Sequence, residues 1–397
     1  MQSKEMPLVT VAVLVYKNFQ YIWDCVESIL EQDYPKIRLV VSDDGSENFD
    51  AEELERFIRR NRRKNLRSVF LHQMERNVGT SKNFNFALSH AEGEYVKFIA
   101  ADDLFYDVDS LSKLVAVAEQ ESGSVVIARA PSYDRYLERR EWTYPSDEHW
   151  AWMRDAAGNP KEFFGIMSPY CLISSPAALY RLAFLKARGG ADEQYRLIED
   201  WPFWMRMLRD GERFTFLDEP VVIYRSGGVS NGIENANYAA YQLEHADVIR
   251  RECLAHPEAM ATKAQYLAAK RSEREHRFHG ERGRLRQNGG LFSKAAFYLR
   301  YADFYGKKLL SRLKALFWRL NQWKRKLLLF GLLLLAVFSI TDTAALLGVF
   351  HAGTRELALF LTRFGLGCGA ASLLAGGLLY AGAIPVTFFS TIKYSGE

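Results

Sequence analysis

The sequence predicts an α/β fold with a mostly parallel sheet, and three observations carry that prediction. Val9-Thr10-Val11-Ala12-Val13-Leu14-Val15 is a β-branched run too continuous for a half-exposed strand, so it reads as a strand covered on both faces. Strand-like and helix-like stretches then alternate at the spacing of right-handed βαβ crossovers. Finally, polar clusters stand at the carboxyl ends of successive strands, where ligands bind in such sheets.

After the first strand, Tyr16 to Asn18 turn the chain. Phe19 to Gln32 carry Ile22, Val26, Ile29 and Leu30 at helical spacing. Arg38–Ser42 is the second strand, closed by Asp43-Asp44-Gly45-Ser46. A helix (Ala51–Arg63), a strand (Arg67–His72), a helix (Thr80–Ala91) and a strand from Tyr95 to Ala101 follow. The last ends in Asp102-Asp103, two like charges that are costly to desolvate side by side. A divalent cation removes that cost, because Mg²⁺ and Mn²⁺ prefer oxygen ligands and reach diphosphates through one or two carboxylates; a simple turn is the alternative. Neither G-x-G-x-x-G nor G-x-x-x-x-G-K-[ST] is present, which argues against a dinucleotide fold or a P-loop.

Pro131 to Pro160 are aromatic and polar with no clean period, and suggest long loops over a pocket mouth, where His149 and the tryptophans could either pack or meet a sugar. Glu199-Asp200 open a helix whose apolar face is Trp201, Trp204, Met205 and Leu208. The helix dipole favours such a pair, as a cap. Phe214–Leu217 and Val221–Arg225 read as closing strands.

The order TVAVLVY–N, VVSDDGS, RNVGTSKNFNFAL, FIAADD resembles the family 2 glycosyltransferases of GT-A fold, over roughly Leu8 to Arg225. The resemblance implies that Tyr16 with Asp43 or Asp44 holds the uracil and ribose. It puts Arg76, Asn77 and Gly79 beside the nucleotide, and Lys82 and Asn83 near the sugar or diphosphate. Asp102 and Asp103 match the DxD-type site for ribose and metal, Mn²⁺ or Mg²⁺. Asp200 matches the family's catalytic base, with Glu199 as its positioning partner, and the Tyr224-Arg225-Ser226-Gly227-Gly228-Val229-Ser230 stretch matches the loop under the diphosphate. Two departures stand out: Leu14 replaces the usual Pro at the end of strand one, and Ala100 replaces the first acid of a D-x-D-D run, so the metal falls to Asp102 and Asp103.

The net charge of +4 is unevenly spread. Met1 to Leu243 hold 29 Lys+Arg against 37 Asp+Glu, and Glu244 to Lys326 hold 20 against 8. The four cysteines are far apart without metal-ligand spacing, which argues against structural zinc and a disulfide framework and fits a reducing compartment. The arginine-rich region carries no recognition motif, so nucleic-acid binding is not expected. The expected organisation is a catalytic domain at 1–235 (nucleotide half 1–128, acceptor half 129–235), a basic helical region at 236–303 with a loop at Gln287–Gly290, a basic amphipathic interfacial helix at 304–326, and two transmembrane helices at 327–392. Lys324-Arg325-Lys326 outweigh the charges of the intervening loop, so the positive-inside rule places the catalytic part in the cytoplasm, at a bacterial inner membrane.

These features together imply a metal-dependent, inverting transferase moving sugar from a nucleotide-diphosphate donor, UDP-linked for preference, to a lipid-linked saccharide in surface-polysaccharide synthesis. Alternatives are a polyprenyl-phosphate glycosyltransferase and a non-enzymatic membrane scaffold on a degenerate GT-A fold. A processive synthase is disfavoured, because no Q-x-x-R-W follows the Glu-Asp pair.

Overall fold

The computed structural model describes residues 5–121, 123–227, 237–288 and 290–304. The chain divides into two compact units, Met1–Phe297 and Tyr298–Glu397, and the first holds the whole sheet.

Strand β1 (Val9–Val15) is buried along both faces: Ala12 joins one hydrophobic cluster, and Val9, Val11, Val13 and Val15 join the other. A period of two with both phases apolar gives that result, and it makes β1 a central strand. It pairs in parallel with β2 (Ile37–Asp43) and with β4 (Tyr95–Ala100); β3 (Leu66–Gln73) adds in parallel outside β2. Between them lie α1 (Ile22–Leu30), entered through a 3₁₀ turn at Phe19–Tyr21, then α2 (Ala51–Asn61) and α3 (Thr80–Ser89). Each alternation expected for this half is present, with ends shifted by at most three residues.

The short β5 (Leu104–Phe105) and α4 (Ser110–Glu121) lead to β6 (Val125–Tyr133). The stretch expected to be long loops is instead ordered: β7 (Arg140–Tyr144) forms a hairpin with β6, and α5 (Asp147–Ala156) and α6 (Pro160–Met167) follow. Ser146 and Asn159 accept backbone N–H bonds at the two helix starts, and Pro160 occupies the first turn. These cap signals were legible; the short helices obscure the period. Strand β8 (Ala178–Arg181) is antiparallel to both β4 and β6 and joins the two halves of the sheet. Helices α7 (Leu182–Ala187) and α8 (Trp201–Arg209) precede β9 (Thr215–Pro220), parallel to β6, and β10 (Val222–Arg225), which pairs with β6 and β5. Among the described residues the path of the sheet is β3-β2-β1-β4-β8-β6-β10-β5, with β7 and β9 also on β6.

Beyond the sheet, α9 (Tyr238–Val248) continues through a π-helical turn (Ile249–Leu254), and α10 (Lys263–Asn288) runs back along it. Gly280 and Gly283 permit this contact, since a Cβ on either would lie within 3.0 Å of Leu243 or Ala239. Val248, Ile249, Cys253 and Ala269 are buried in the same cluster as Trp201 and Trp204 of α8. Helix α10 runs through Asn288, two residues into the loop expected at Gln287–Gly290, and α11 (Leu291–Arg300) follows.

The expected multi-pass place in the bacterial inner membrane is corrected by this structure: among the described residues, no helix is long and apolar enough to cross a membrane. The amphipathic segment beyond Phe304, both expected spans, and Gly228 to Ser230 of the diphosphate loop lie outside the described residues.

Candidate active site

The sheet register places the polar clusters together. Val15 is opposite Asp43 and Leu14 is opposite Ala100, so the turns after β1, β2 and β4 share one rim. That rim, the start of α8 and the α9–α10 pair enclose a cavity of about 1420 Å³.

The turn after β4 is the most heavily tied. Asp102 Oδ1 accepts an N–H from the Asn18 amide at 2.9 Å, and its backbone carbonyl accepts Arg225 Nε at 2.9 Å. Asp103 is 1% exposed, and its Oδ1 accepts the backbone N–H of Arg225 at 3.0 Å, while its Oδ2 is buried with no hydrogen-bond donor. Burial raises both carboxyls above the usual range; Asp103 goes further, because the Asp102 charge adds to its burial. Lys97, on the strand that delivers the pair, is fully buried and lies over the Phe105 ring with its ammonium on the Pro176 carbonyl. Burial pushes its pKa down to about 7 against the opposing pull of Asp103.

Arg225 was expected beneath the diphosphate. It lines the cavity, yet its guanidinium is otherwise engaged: besides Asp102 it donates to the Arg135 carbonyl at 2.8 Å and to Asp24 at 2.9 Å, and it stacks 4.4 Å from the Tyr21 ring centroid. It therefore clamps the Asp102-Asp103 turn to α1 and β10.

The turn after β2 works in a similar way. Asp44 accepts the N–H groups of Val78 (2.6 Å) and Gly79 (2.9 Å) and the Asn77 amide (2.8 Å), fixing the 77–79 loop at the cavity edge. Burial raises its carboxyl, and the Val78 and Gly79 N–H groups oppose the shift. Gly45, at φ +74°, lets the Arg76–Asn77 backbone approach to where a Cβ would meet it at 2.5 Å. Asn83 lines the cavity while its amide is tied to Ser42, and Tyr16 lines the cavity under the Lys17 ammonium.

Three expected donor-binding side chains do not reach the cavity. Asp43 is fully buried and turns back to accept the Ser46 N–H at 2.7 Å. Arg76 is exposed, because its backbone is the part packed on Gly45. Lys82 points to solvent from α3, whose neighbouring residues Ser81 and Asn83 take the buried face.

Glu199 and Asp200 do line the cavity. Asp200 caps α8, its Oδ1 accepting the Trp201 N–H at 2.5 Å. Burial pushes its carboxyl well above the usual range, and the Glu199 charge adds to the shift; burial raises Glu199 too, with Ser175 opposing. Sequence reasoning missed Arg196, whose guanidinium binds the Asn77 and Val78 carbonyls and the Asn77 side chain and whose Cγ lies where a Gly79 Cβ would be. It also missed the α9–α10 wall, with Tyr241, His245 and His276. Asn18 was the one legible signal among the missed contacts, since it stands in the first turn beside Tyr16.

Residues 10–186 match the family described as Glycosyl transferase family 2. This stretch is similar to family 2 glycosyltransferase domains. With its β3-β2-β1-β4-β8-β6 sheet order, it has the GT-A-like α/β fold that the resemblance implied. The chain is 31% identical over 127 residues to glycosyltransferase GlyG of Streptococcus pneumoniae, covering 32% of this chain and 40% of GlyG. An uncharacterized glycosyltransferase of Bacillus subtilis, EpsJ, is 26% identical over 240 residues, 60% of this chain and 67% of EpsJ. The Staphylococcus aureus poly(ribitol-phosphate) beta-N-acetylglucosaminyltransferase TarS is 24% identical over 227 residues, 54% of this chain and 35% of TarS. The chain thus spans between about a third and two thirds of these relatives. Among solved structures, S. aureus TarS 1–349 in complex with UDP-GlcNAc gives a TM-score of 0.46 at 20% identity, covering 69% of this chain and 79% of that one. The mannosyltransferase PcManGT of Pyrobaculum calidifontis, in complex with GDP-Man and Mn²⁺, gives 0.45 at 18%, covering 75% and 80%.

Proposed function

We propose that the chain transfers a sugar, with inversion, from a nucleotide-diphosphate donor to a saccharide hydroxyl. The observation that carries the reading is that the Asp102 turn and the Glu199-Asp200 pair face one cavity at the carboxyl rim of a parallel sheet. The donor is UDP-linked in this reading, as the family resemblance implies, and TarS is by name an N-acetylglucosaminyltransferase.

Asp200 is the base. Its Oδ1 is held by the helix, so Oδ2 is the atom that takes the acceptor hydroxyl proton. The hydroxyl oxygen bonds to the anomeric carbon as the bond from that carbon to the diphosphate oxygen breaks, its electron pair leaving with the diphosphate. Glu199 adds to the charge that makes Asp200 more basic. The donor set suits a hard cation: Asp102 and Asp103 both line the cavity, Asp103 Oδ2 is buried with no hydrogen-bond donor, and Mg²⁺ or Mn²⁺ typically takes one or two carboxylates and completes its shell from phosphate and water. Asp102 is its ligand in this reading, because it is the more open of the two, Asp103 being 1% exposed. When bound, the cation would neutralise charge on the departing diphosphate.

A lipid-linked saccharide of surface-polysaccharide assembly is the first acceptor class to try. The test is donor hydrolysis by purified protein over a set of nucleotide sugars, with and without Mn²⁺. Metal-stimulated hydrolysis of a UDP-sugar is expected. If no nucleotide sugar binds or is hydrolysed under any condition, the enzyme reading fails and a scaffold on this fold replaces it.

A further inference from the structure

We propose that Trp142, Tyr170 and the α9–α10 residues Gln242, His245 and His276 form a binding site for a neutral acceptor glycan of at least two sugar units. The inference rests on the glycosyltransferase function proposed for this cavity and names what its far wall holds.

Size is the first argument. Ligand sites commonly enclose about 300–1000 Å³, whereas this cavity has about 1420 Å³, room for a nucleotide sugar and a further extended molecule. Exposure is the second. Trp142 and Tyr170 line the cavity yet are 45% and 51% exposed, while Trp150, Trp201 and Trp204 nearby are packed away. Flat rings with a polar edge, left open at a cavity mouth, are suited to the apolar C–H faces of pyranose rings.

Polar chemistry is the third. The His245 and His276 rings stack at 5.0 Å between centroids and 27°. His276 Nδ1 is 2.7 Å from the Gln242 amide oxygen, and His245 Nδ1 is 2.9 Å from the Tyr241 carbonyl. One nitrogen of each ring is thereby assigned, and the other is left for a hydroxyl. Burial pushes both imidazoles down, to about 4 and about 3, so they are neutral near pH 7. Two charged neighbours on this wall are occupied: Glu244 accepts the Arg196 and Leu197 N–H groups, and Arg196 is spent on the 77–78 loop. An uncharged hydroxyl-rich ligand fits such a wall better than an anionic polymer. The wall also leads to the reacting end, since His245 lies 5.5 Å from the ring of Trp201, the residue after Asp200.

The experiment is steady-state transfer from the donor that the hydrolysis screen selects, with neutral trisaccharides (glucose, mannose and N-acetylglucosamine trimers) and a glycerol-phosphate trimer as acceptors. For the trisaccharide that is used, Trp142→Ala, Tyr170→Ala and His276→Ala should each raise the acceptor KM about tenfold, the scale of one lost contact, with kcat much less affected. Tyr170→Phe, which keeps the ring plane, should stay close to the parent KM. Unchanged acceptor KM in all three alanine variants overturns the proposal, as does use of the phosphate trimer alone. If the donor is hydrolysed but no neutral trisaccharide is used, this inference falls and the glycosyltransferase reading stands. If no donor is hydrolysed, both fall.

Discussion

The backbone N–H of Arg225 donates to Oδ1 of Asp103 at 3.0 Å, across 122 residues of sequence. That bond, with the Arg225 guanidinium on the Asp102 carbonyl, joins the last strand of the sheet to the acidic turn. Both aspartates line the cavity: Asp103 is the more deeply buried, with one oxygen on Arg225, and Asp102 the more open, with one oxygen on Asn18.

Asp102→Ala should therefore abolish Mn²⁺-dependent nucleotide binding with little change in melting temperature. Asp103→Ala should lower stability by about 1–3 kcal/mol, the cost of stripping a partner from buried polar groups. Calorimetric titration with UDP and thermal melts of the two variants check the division; equal melting temperatures would refute it.

Asp200→Asn should cut turnover about 10²–10⁴-fold with nucleotide affinity retained, since Asn keeps the helix cap and loses the base. The parent's turnover should rise with pH through a range above that of an ordinary carboxylate, because burial and Glu199 raise the Asp200 pKa. Pre-steady-state transfer rates against pH test both points.

The same group has a stability signature of opposite sign. A carboxyl whose folded pKa is raised stabilises the fold fully below its unfolded pKa, and that contribution is lost as pH rises through the folded value. Asp200→Asn should accordingly be more stable than the parent near pH 7, by about 0.5–2 kcal/mol, with the difference vanishing near pH 3. Urea melts at the two pH values measure it.

Gly45→Ala should weaken nucleotide binding more than an ordinary loop substitution, since a Cβ there meets the Arg76 carbonyl carbon at 2.5 Å and the residue sits at φ +74°. Arg196→Ala should act in the same direction more mildly, by releasing the 77–78 carbonyls. Nucleotide titrations of both variants, ranked against Lys82→Ala as an exposed control, test the order.

Much of the nucleotide-binding half was legible because its strands are continuous apolar runs and its helices carry clean stripes. Val9–Val15 and the Asp102-Asp103 turn needed nothing beyond local sequence. Asp43, Arg76 and Lys82 did not behave as expected because which side chain of a turn faces inward is decided by its packing partners: Ser46 for Asp43, Gly45 against the Arg76 backbone, helix phase for Lys82. Arg196 and His276 were illegible because they act at long range. Each meets segments more than a hundred residues, or several elements, away, and neither stands in a motif. Residues 131–160 read as loops from sequence since their helices are too short to show a period.

The burial of Val248, Ile249, Cys253 and Ala269 in the cluster that holds Trp201 and Trp204 bears on how the acceptor wall can be re-engineered. Helices α9 and α10 are not a detachable module clipped to a finished catalytic domain. A chain cut at residue 235 would bare that apolar surface, and a chimera taking these helices from a relative would set foreign side chains against α6 and α8. Acceptor preference and folding are thus inherited together here. A graft that alters one without harming the other has to carry Pro160–Met167 and Trp201–Arg209 along with the helices, or confine itself to cavity-facing positions such as Gln242 and His276.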